Sequence, residues 1–425
     1  MEEISKRTVL NTLYVGIDVD SKKNVIYMMD FNQICLASFS ILNDINGVGV
    51  LKDKALEVLK KRDDLQFITF VLESTSVYAF HTATYLSNNE ELLVYSPKVY
   101  CINPKVSSNY RKSFSDMNKD DAIDARLLAD IARVGRCDKL NPWRGSQLVA
   151  LQRLTRHRKH LSDMLAAEKN YVLNNIFLKF SGLLTANSQD APFSNVFGTT
   201  SSFILTDFMS TEEIVDTPLE DLVSILNEKS NKHFSNTEET AKLLKQAAAN
   251  SYRLDKVSSE PINLAIASSL NCIRSFEAEI KSVDKSIMQQ IKGLNDTEYM
   301  SLTSIKGIGK VFAAGIIAEI GSIDQFRNDD ALAKYAGITW RKTQSGSFEA
   351  EDTYMTKTGN SYLRYYIIEA AQHVVWHVQE YNNFYTKKLN EVSKHKEARA
   401  RVLTARKLIK LIYALMSNRS LYKER

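Results

Sequence analysis

The chain has 425 residues, which is too long for one ordinary core, and its 44% hydrophobic and 25% charged residues are typical of a globular protein. The net charge of +5 does not identify a partner, and the absence of a CxxC pair among the four cysteines argues against a zinc finger or a disulfide framework. Because no apolar run is long enough to span a membrane and no leader pattern precedes residue 18, we expect a cytoplasmic protein with no membrane partner.

The first 95 residues predict a mixed α/β sheet. The predicted elements are strands at 12–20, 24–30 and 34–40, a helix at 47–62, a strand at 66–73, a helix at 77–88 and a strand at 92–96. Brief turns between the first three strands predict an antiparallel meander. The nearly unbroken apolar run at 66–73 is typical of a buried parallel strand. The order βββαβαβ, followed by a helix, predicts helices on the faces of the sheet.

The middle of the chain predicts helices. Residues 97–118 have the composition of an extended loop that is basic and aromatic, and an amphipathic helix is expected from 118 to about 135. Apolar residues at steps of three and four predict long helices over 146–180 and 262–292, which can pair within a chain or between chains. Residues 181–260 are polar and irregular, with short helices, and their sequence assigns them no chemistry.

From residue 299 the pattern changes again. A helix, a tight glycine turn and a second helix are followed by a polar loop, an apolar helix and a basic helix that runs to the end. We therefore predict three regions: an α/β domain at 10–142, a helical coiled-coil or linker region at 143–296 and a mainly helical domain at 297–425.

The stretch NKDDAIDARLLADIA, residues 118–132, raises the question of why acids crowd the start of a helix. Asp121 and Asp124 are three residues apart, so on a helix they share a face with Cβ atoms about 5–6 Å apart. Two neighbouring carboxylates repel unless a cation lies between them. The simpler explanation is that aspartate is favoured at any helix N-terminus by capping and by the helix dipole.

Two further acids favour a metal site. Asp18 interrupts the apolar strand VGIDVD, where an aspartate is disfavoured, and Glu73 ends the apolar strand FITFVLE. An acid on the first strand, one at the end of the fourth and a pair on a later helix is the arrangement of an RNase H-like nuclease core, in which metal ions stabilise both oxygens of a phosphodiester displacement. Carboxylate oxygens suit Mg²⁺, or Mn²⁺.

The segments YVGIDVDSKKN, VLESTSVY and KDDAIDARLLADIA resemble the three signatures of the DEDD transposases of bacterial insertion sequences, which are related to pilin-gene inverting recombinases. The resemblance covers roughly 12–140 and 299–385. It implies a first domain that is RNase H-like (similar to the RuvC Holliday-junction resolvase), with Asp18, Glu73, Asp121 and Asp124 as catalytic metal ligands. The family usually has Thr where this chain has Asp120, so the sequence does not decide which aspartates bind metal.

The segment SIKGIGKVFAAGI has the form of a helix-hairpin-helix. Gly307 and Gly309 permit a tight turn, after which the N–H groups of the next helix can face a phosphate, and Lys306 and Lys310 add positive charge. The simpler explanation is a helical hairpin with a glycine turn. With apolar residues on both sides, the pattern favours contact with a nucleic-acid backbone, which positions the protein without reading sequence.

Ser345 lies in TQSGS, and a Ser-Gly pair in a loop is ordinarily only a turn. The resemblance implies more, because the family has a Ser-Gly at this place, and that serine is the proposed nucleophile of a covalent phosphoserine link to DNA. Many relatives have Lys or Arg where this loop has Glu349, Glu351 and Asp352. Phosphate contacts are therefore expected from three other basic residues, Lys342, Lys357 and Arg364.

The leading hypothesis is a transposase, or site-specific recombinase, that cuts and rejoins DNA strands through Ser345 and the Mg²⁺ site. The resemblance further implies donor and target DNA, a structured non-coding guide RNA (the bridge RNA), a dimer or tetramer, and a bacterial, nucleoid-associated location. One alternative is a resolvase-like metal nuclease that uses water as nucleophile. Another is a nucleic-acid-binding scaffold without enzymatic activity, which would use only the hairpin and the basic tail.

Overall fold

The chain forms two compact units, Met1–Gln152 with Gly293–Arg425, and Arg153–Lys292. The computed structural model describes residues 8–74, 77–114, 120–137, 143, 146–187, 190–230, 234–292, 294, 297–340, 344–345, 348–349 and 355–424. A mixed α/β sheet near the amino terminus is followed by a mostly helical remainder, as predicted. Within the described residues, each helix is too short or too polar to cross a membrane.

The sheet has the strand order β3-β2-β1-β4-β5. The amino-terminal elements are β1 (Thr12–Val19), β2 (Lys23–Met29), β3 (Cys35–Leu42), α1 (Ile45–Lys61), β4 (Phe67–Glu73), α2 (Ala79–Asn88), α3 (Glu90–Leu93), β5 (Lys98–Ile102), α4 (Pro104–Arg111) and α5 (Asp121–Arg133). The first three strands pair antiparallel, which confirms the meander, whereas β4 pairs parallel with both β1 and β5. The last parallel strand therefore follows a helical crossover, as parallel pairing requires.

The prediction of a strand at 92–96 is wrong. Asn89 accepts a hydrogen bond from the N–H of Leu92 and caps the short helix α3, so this segment starts helical. The strand instead lies six residues later, over Lys98–Ile102, within the predicted loop. That loop also contains the helix α4, which begins at Pro104, a residue whose fixed φ suits the first turn of a helix.

The strands β1 and β4 have two differently covered faces, because side chains alternate along a strand. On one face, Val15, Ile17 and Leu72 join the core that α1 and α2 cover. On the other face, Tyr14 and Val71 pack with the buried side of α5. By the same alternation, Asp18 of β1 and Glu73 of β4 belong to this second face.

Gly16 lies on the face of β1 that α5 covers, and α5 passes unusually close to it. A Cβ atom built on Gly16 would lie 1.9 Å from the carbonyl oxygen of Ala125 and 2.5 Å from the backbone nitrogen of Ala129. Only glycine therefore permits this approach of helix and strand backbones. Since the metal-site candidates of α5 are in its first turn, Gly16 sets how near they come to β1.

We expect Gly16→Ala to reduce the free energy of unfolding by about 3 kcal/mol, because backbone on both sides of the new methyl group cannot yield without displacing α5. Gly49→Ala is the matched control. A Cβ at Gly49 meets nothing within 4 Å, and the residue lies inside α1, so alanine should stabilise by about 0.5–1 kcal/mol. Urea unfolding of both variants measures the difference. Equal stability of the two variants would contradict the tight contact.

The unit Arg153–Lys292 is a helical domain with its own core. Its helices are the carboxyl-terminal part of α6 (Ser146–Lys179), α7 (Ser181–Thr185), α8 (Thr199–Asp207), α9 (Thr211–Asp216), α10 (Leu219–Lys229), α11 (Thr237–Ala249) and α12 (Lys256–Lys292). The predicted pairing of the two long helices occurs within the chain and is antiparallel, since Arg158 pairs with Asp284 and Lys169 with Glu277. The short helices between them bury apolar residues against this pair.

The carboxyl-terminal part belongs to the first unit and is almost wholly helical. It contains α13 (Thr297–Thr303), α14 (Lys310–Ile320), a 3₁₀ turn (Ile323–Gln325), α15 (Asp329–Ala336), the two-residue strands β6 (Gln344–Ser345) and β7 (Phe348–Glu349), α16 (Ser361–His377), α17 (Gln379–Asn390) and α18 (Lys396–Asn418). Its core gathers around α14, α16 and α18, with Tyr366 completely buried. Leu148, in the first turn of α6, packs against the same core.

Candidate active site

Asp18 and Glu73 lie side by side at the carboxyl ends of adjacent parallel strands. The paired residues just before them are Ile17 and Leu72, so Asp18 and Glu73 are next in register and point to the same face. Neighbouring strands lie about 4.8 Å apart, which brings both carboxylates to one edge of the sheet. The predicted convergence of these two acids is therefore present in the fold.

The first turn of α5 brings two more carboxylates to this edge. Asp121 is exposed and Asp124, one turn later, is half-buried. Asp120 has a different role, because it is the N-cap of α5 and its Oδ1 accepts a hydrogen bond of 3.1 Å from the N–H of Ala122. Threonine is also a good N-cap residue, so an aspartate in its place preserves the cap.

The electrostatics of Asp18 show that the acids are neighbours. Burial, and after it the negative charges of Glu73 and Asp121, raise the pKa of Asp18 from its usual value to about 6. The guanidinium of Arg111 acts in the opposite direction, and the nearby charge of Asp20 adds a smaller increase. Ionised Asp18 is thus destabilised where it lies, and a positive charge in the cleft would relieve it.

Two side chains of helix α4 contact two of the four acids. Ser107 Oγ donates a hydrogen bond of 2.7 Å to Oε2 of Glu73, and Arg111 forms an ion pair with Asp124. The helix is held in place by Tyr110, whose hydroxyl donates a hydrogen bond of 2.5 Å to the buried Asp130 of α5. One short helix therefore orients two of the four acids and anchors itself to the helix that carries them.

The carboxylates of Asp18, Glu73 and Asp121 are close enough for their charges to interact, and together with Asp124 they offer the oxygen ligands that a hard divalent cation takes. Oδ1 of Asp124 is buried and accepts no hydrogen bond within the described part of the chain, so its charge is met by the ion pair with Arg111. Oxygen ligands of this kind are those that Mg²⁺ and Mn²⁺ prefer. In the described residues no three acidic, histidine or cysteine side chains yet enclose one position, so side-chain rotation is needed for them to share an ion.

The predicted glycine turn joins α13 to α14. Gly307 has φ of +98°, and a Cβ there would lie 2.8 Å from the backbone of His373, so this glycine permits close packing on α16. Gly309 precedes α14 as its N-cap and faces open space. Lys310 is exposed, and Lys306 is exposed and forms an ion pair of 2.5 Å with Glu424.

The residues predicted around the serine loop have different surroundings. Ser345 lies in β6, where its backbone pairs with Phe348 of β7. Contact between its side chain and the four acids stays a prediction. Lys342 lies outside the described residues. Lys357 is exposed and has a φ of +49°. The guanidinium of Arg364 donates hydrogen bonds to two backbone carbonyls, those of Ala336 and Lys357, so it stabilises the loop connection before α16.

Sequence reasoning missed three residues of the site: Gly16, Ser107 and Arg111. Gly16 left a usable signal, since a glycine inside a strand indicates a close backbone approach. Ser107 and Arg111 left none, because the segment that contains them was predicted to be a loop. Their contacts with Glu73 and Asp124 depend on a helix that forms only 31 to 38 residues after β4 ends.

Two family models match the chain. One, of the DEDD transposase domain of IS110 and described as a transposase, matches residues 15–179, the range that contains all four acids. The other, described as "Transposase IS116/IS110/IS902 family", matches residues 299–386, which contain the glycine turn and Ser345. The two matches lie on either side of most of the helical unit Arg153–Lys292.

The relatives are insertion-element proteins. An uncharacterised 44.8 kDa protein of insertion element IS116 from Streptomyces clavuligerus is 21% identical over 411 residues, 96% of either chain. The transposase for insertion sequence element IS1111A from Coxiella burnetii is 27% identical over 154 residues, 36% of this chain and 39% of that one. The first similarity extends along nearly the whole length of both proteins.

Proposed function

We propose that the chain is a DEDD transposase of the IS116/IS110/IS902 family, and that Asp18, Glu73, Asp121 and Asp124 hold divalent metal, Mg²⁺ or Mn²⁺, for the cutting and rejoining of DNA strands. The observation that carries this proposal is the position of Asp18 and Glu73 at the ends of adjacent parallel strands, and the raised pKa of Asp18, caused by burial and by the charges of Glu73 and Asp121, supports it. An RNase H-like identity for the sheet is part of the same proposal, supported by its strand order and by the acids at its edge.

The chemistry that such a cation supplies when bound is stabilisation of the negative charge that develops on the phosphodiester oxygens. The protein supplies the rest. The hydrogen bond from Ser107 holds Glu73 in one orientation, and the cap of Asp120 fixes the start of α5, the turn that carries Asp121 near Asp18 and pairs Asp124 with Arg111. Prealigned ligands of this kind lower the cost of reaching the geometry of the transition state.

Ser345 is proposed as the nucleophile. Its hydroxyl oxygen would lose its proton and form a new bond to the scissile phosphorus while the bond from phosphorus to the leaving strand breaks, and the leaving oxygen would take up one proton in exchange. The strand is then held as a phosphoserine ester, and attack by the hydroxyl end of another strand reverses the step and rejoins DNA. This assignment is supported by the Ser-Gly that the chain shares with the family and requires that Ser345 reach the carboxylates within or between subunits.

Nucleic-acid binding is proposed for the glycine turn and the basic residues around it. Lys306, Lys310 and Lys357 are exposed, and the N-terminus of α14 follows Gly309, beside which there is open space for a phosphate. Such contacts suit both donor and target DNA and the backbone of a structured guide RNA. Strand exchange joins several DNA ends at once, so we propose a dimer or tetramer.

The test is Asp121→Asn. We expect strand transfer to fall by about 10²–10³-fold because a metal ligand loses its charge, while DNA binding stays unchanged because Asp121 is exposed and supports no packing. A strand-transfer assay with Mg²⁺ and a gel-shift assay on the same preparation measure the two effects. A normal transfer rate would rule out the role of Asp121, and a loss of activity confined to DNA binding would favour a non-enzymatic scaffold.

Asp120→Asn is the matched control, since it removes the same charge one residue away. Asparagine caps a helix as well as aspartate does, so α5 should start at the same residue and strand transfer should stay within about twofold of wild type. A loss as large as that of Asp121→Asn would instead assign metal binding to Asp120.

A further inference from the structure

The helical unit Arg153–Lys292 contains a cavity of about 480 Å³ at the N-terminus of α8. Its size is within the range of small-molecule sites in proteins. The described lining includes one cation, Lys229, together with serine, threonine and asparagine side chains and two phenylalanines, and it includes no carboxylate. This composition favours an anionic ligand over a cationic one.

The backbone of α8 points donors at the cavity. Gly198 is the N-cap and has no side chain to cap the helix, and the first backbone bond of the helix runs from Ser202 to the Gly198 carbonyl. The N–H groups of the first turn have no acceptor inside a helix, and with the helix dipole they attract a negative group. Thr199 and Thr200, which begin that turn, line the cavity.

Two buried hydroxyl groups provide independent evidence for a ligand. Ser201 is 1% exposed and Ser230 is 6% exposed, and neither Oγ has a hydrogen-bond partner within the part of the chain that the structure describes. Both residues line the cavity. A buried hydroxyl without a partner is costly, and such groups are ordinarily satisfied by protein, water or ligand. Both can donate to the oxygens of an anion placed at the start of α8.

Lys229 can add charge to such a site. Its Nζ lies 2.9 Å from Oε1 of Glu228, whose side chain is 72% exposed, and 4.7 Å from the centre of the Phe203 ring. An ion pair with so exposed a partner contributes little, so Lys229 is free to turn to a stronger anion. The rings of Phe193 and Phe234 lie 6.3 Å apart on the lining and offer an apolar surface for a flat group.

We propose that this cavity binds a nucleotide through its phosphate group, with the phosphate at the N-terminus of α8, the hydroxyls of Ser201 and Ser230 and the ammonium of Lys229 as donors, and the base against Phe193 and Phe234. The volume exceeds what a phosphate alone requires, which is why a nucleotide is favoured over inorganic phosphate. The nucleotide can be free or can be one unit of a nucleic-acid strand, and both present the same chemistry. This site is separate from the four carboxylates and does not depend on strand cleavage.

Calorimetric titration of the full-length protein with adenosine 5′-monophosphate, adenosine and inorganic phosphate tests the proposal. We expect the monophosphate to bind at least about tenfold more tightly than adenosine, because the donors all address the phosphate. Ser230→Ala and Lys229→Gln should each weaken monophosphate binding by about tenfold. Equal affinity for nucleoside and nucleotide, or unchanged binding by both variants, would overturn the proposal.

Two control variants match these changes outside the cavity. Thr206→Ala removes a hydroxyl from the other end of α8, and Lys242→Gln removes a lysine of α11 that pairs with Glu238. Both should bind the monophosphate as the wild type does. Ser230→Ala should leave the ligand-free melting temperature unchanged or raise it, since it deletes a hydroxyl without a partner. A lower melting temperature would show a structural partner for Ser230 and would also overturn the proposal.

A short single-stranded oligonucleotide distinguishes the two sources of nucleotide. If the strand is the ligand, the affinity of the wild type for it should exceed that of Lys229→Gln by about tenfold, a difference that places part of the bound strand at Lys229. If the free nucleotide is the ligand, both should bind the strand equally while still differing for the monophosphate. Either result supports the site, and because no cleavage is measured, its failure is distinguishable from failure of the transposase assignment.

Discussion

Asp18→Asn is expected to reduce strand cleavage by about 10³-fold or more and to make the metal-free protein more stable at neutral pH. The loss of activity follows from the loss of a charged metal ligand at the edge of the sheet. The gain in stability follows from the raised pKa of Asp18, since an acid that ionises less readily in the folded protein destabilises the fold once it is ionised. A residue needed only for packing would show the opposite stability effect.

The stability that Asp18→Asn gains over the wild type should increase as the pH rises. The pKa of Asp18 is raised from 3.8 to about 6, so the folded protein binds the proton more tightly and the wild type loses stability as the pH rises from about 4 to about 6. After allowance for solvent screening of this partly exposed group, the variant should be about 1 kcal/mol more stable above pH 7, or roughly 2 °C in melting temperature. Below pH 4 the two proteins should melt together.

Thermal unfolding of chelator-treated protein at pH 3.5 and pH 8 measures the stability gain of Asp18→Asn. A cleavage assay with Mg²⁺ measures its loss of activity. Asp20→Asn is the control, because it removes the same charge from an exposed residue whose pKa is lowered by hydrogen bonds in its own turn. It should not raise stability at pH 8. If Asp18→Asn melts below the wild type at pH 8, the acids do not repel one another and the proposed metal site loses its main support.

Ser345→Ala is expected to eliminate the covalent protein–DNA adduct and to reduce strand cleavage by about 10⁴-fold or more. The reason is that the phosphoserine bond cannot form without the hydroxyl, and loss of a nucleophile is among the largest effects of a single substitution. Incubation with a nicked DNA substrate, followed by denaturing electrophoresis, detects the adduct as a species of lower mobility. Mass spectrometry of the digested adduct then locates the phosphorylated serine.

Ser347→Ala is the matched control for this prediction, since it removes a hydroxyl two residues away in the same TQSGS segment. It should form the adduct at the wild-type rate. If Ser345→Ala cleaves DNA normally, the nucleophile is water and the protein is a resolvase-like nuclease. If the adduct persists but maps to Ser347, the nucleophile lies two residues after the proposed one.

Most of the sheet follows from local pattern. Strands β1, β2 and β4 begin and end within a residue or two of their predicted bounds, because alternation and buried apolar runs are local properties of the chain. Asp18 and Glu73 lie on one side of the sheet because β1 and β4 are parallel neighbours, a pairing that the local pattern does not specify. The error fell at 92–118, where Asn89 caps a short helix and shifts the last strand towards the carboxyl terminus.

The sequence by itself therefore determined the element types up to residue 88 and the chain order of the first four strands, since these depend on neighbouring residues, and it proposed the four acids from their positions at strand ends and at a helix start. Only the tertiary structure decided that Asp120 is a cap, that Ser107 and Arg111 contact the acids, and that the segment 181–260 contributes to an apolar core and to a cavity at the start of α8. The physical reason is that such contacts join residues that are distant along the chain. They are selected by the packing of helices on the sheet and on one another, which no local periodicity specifies.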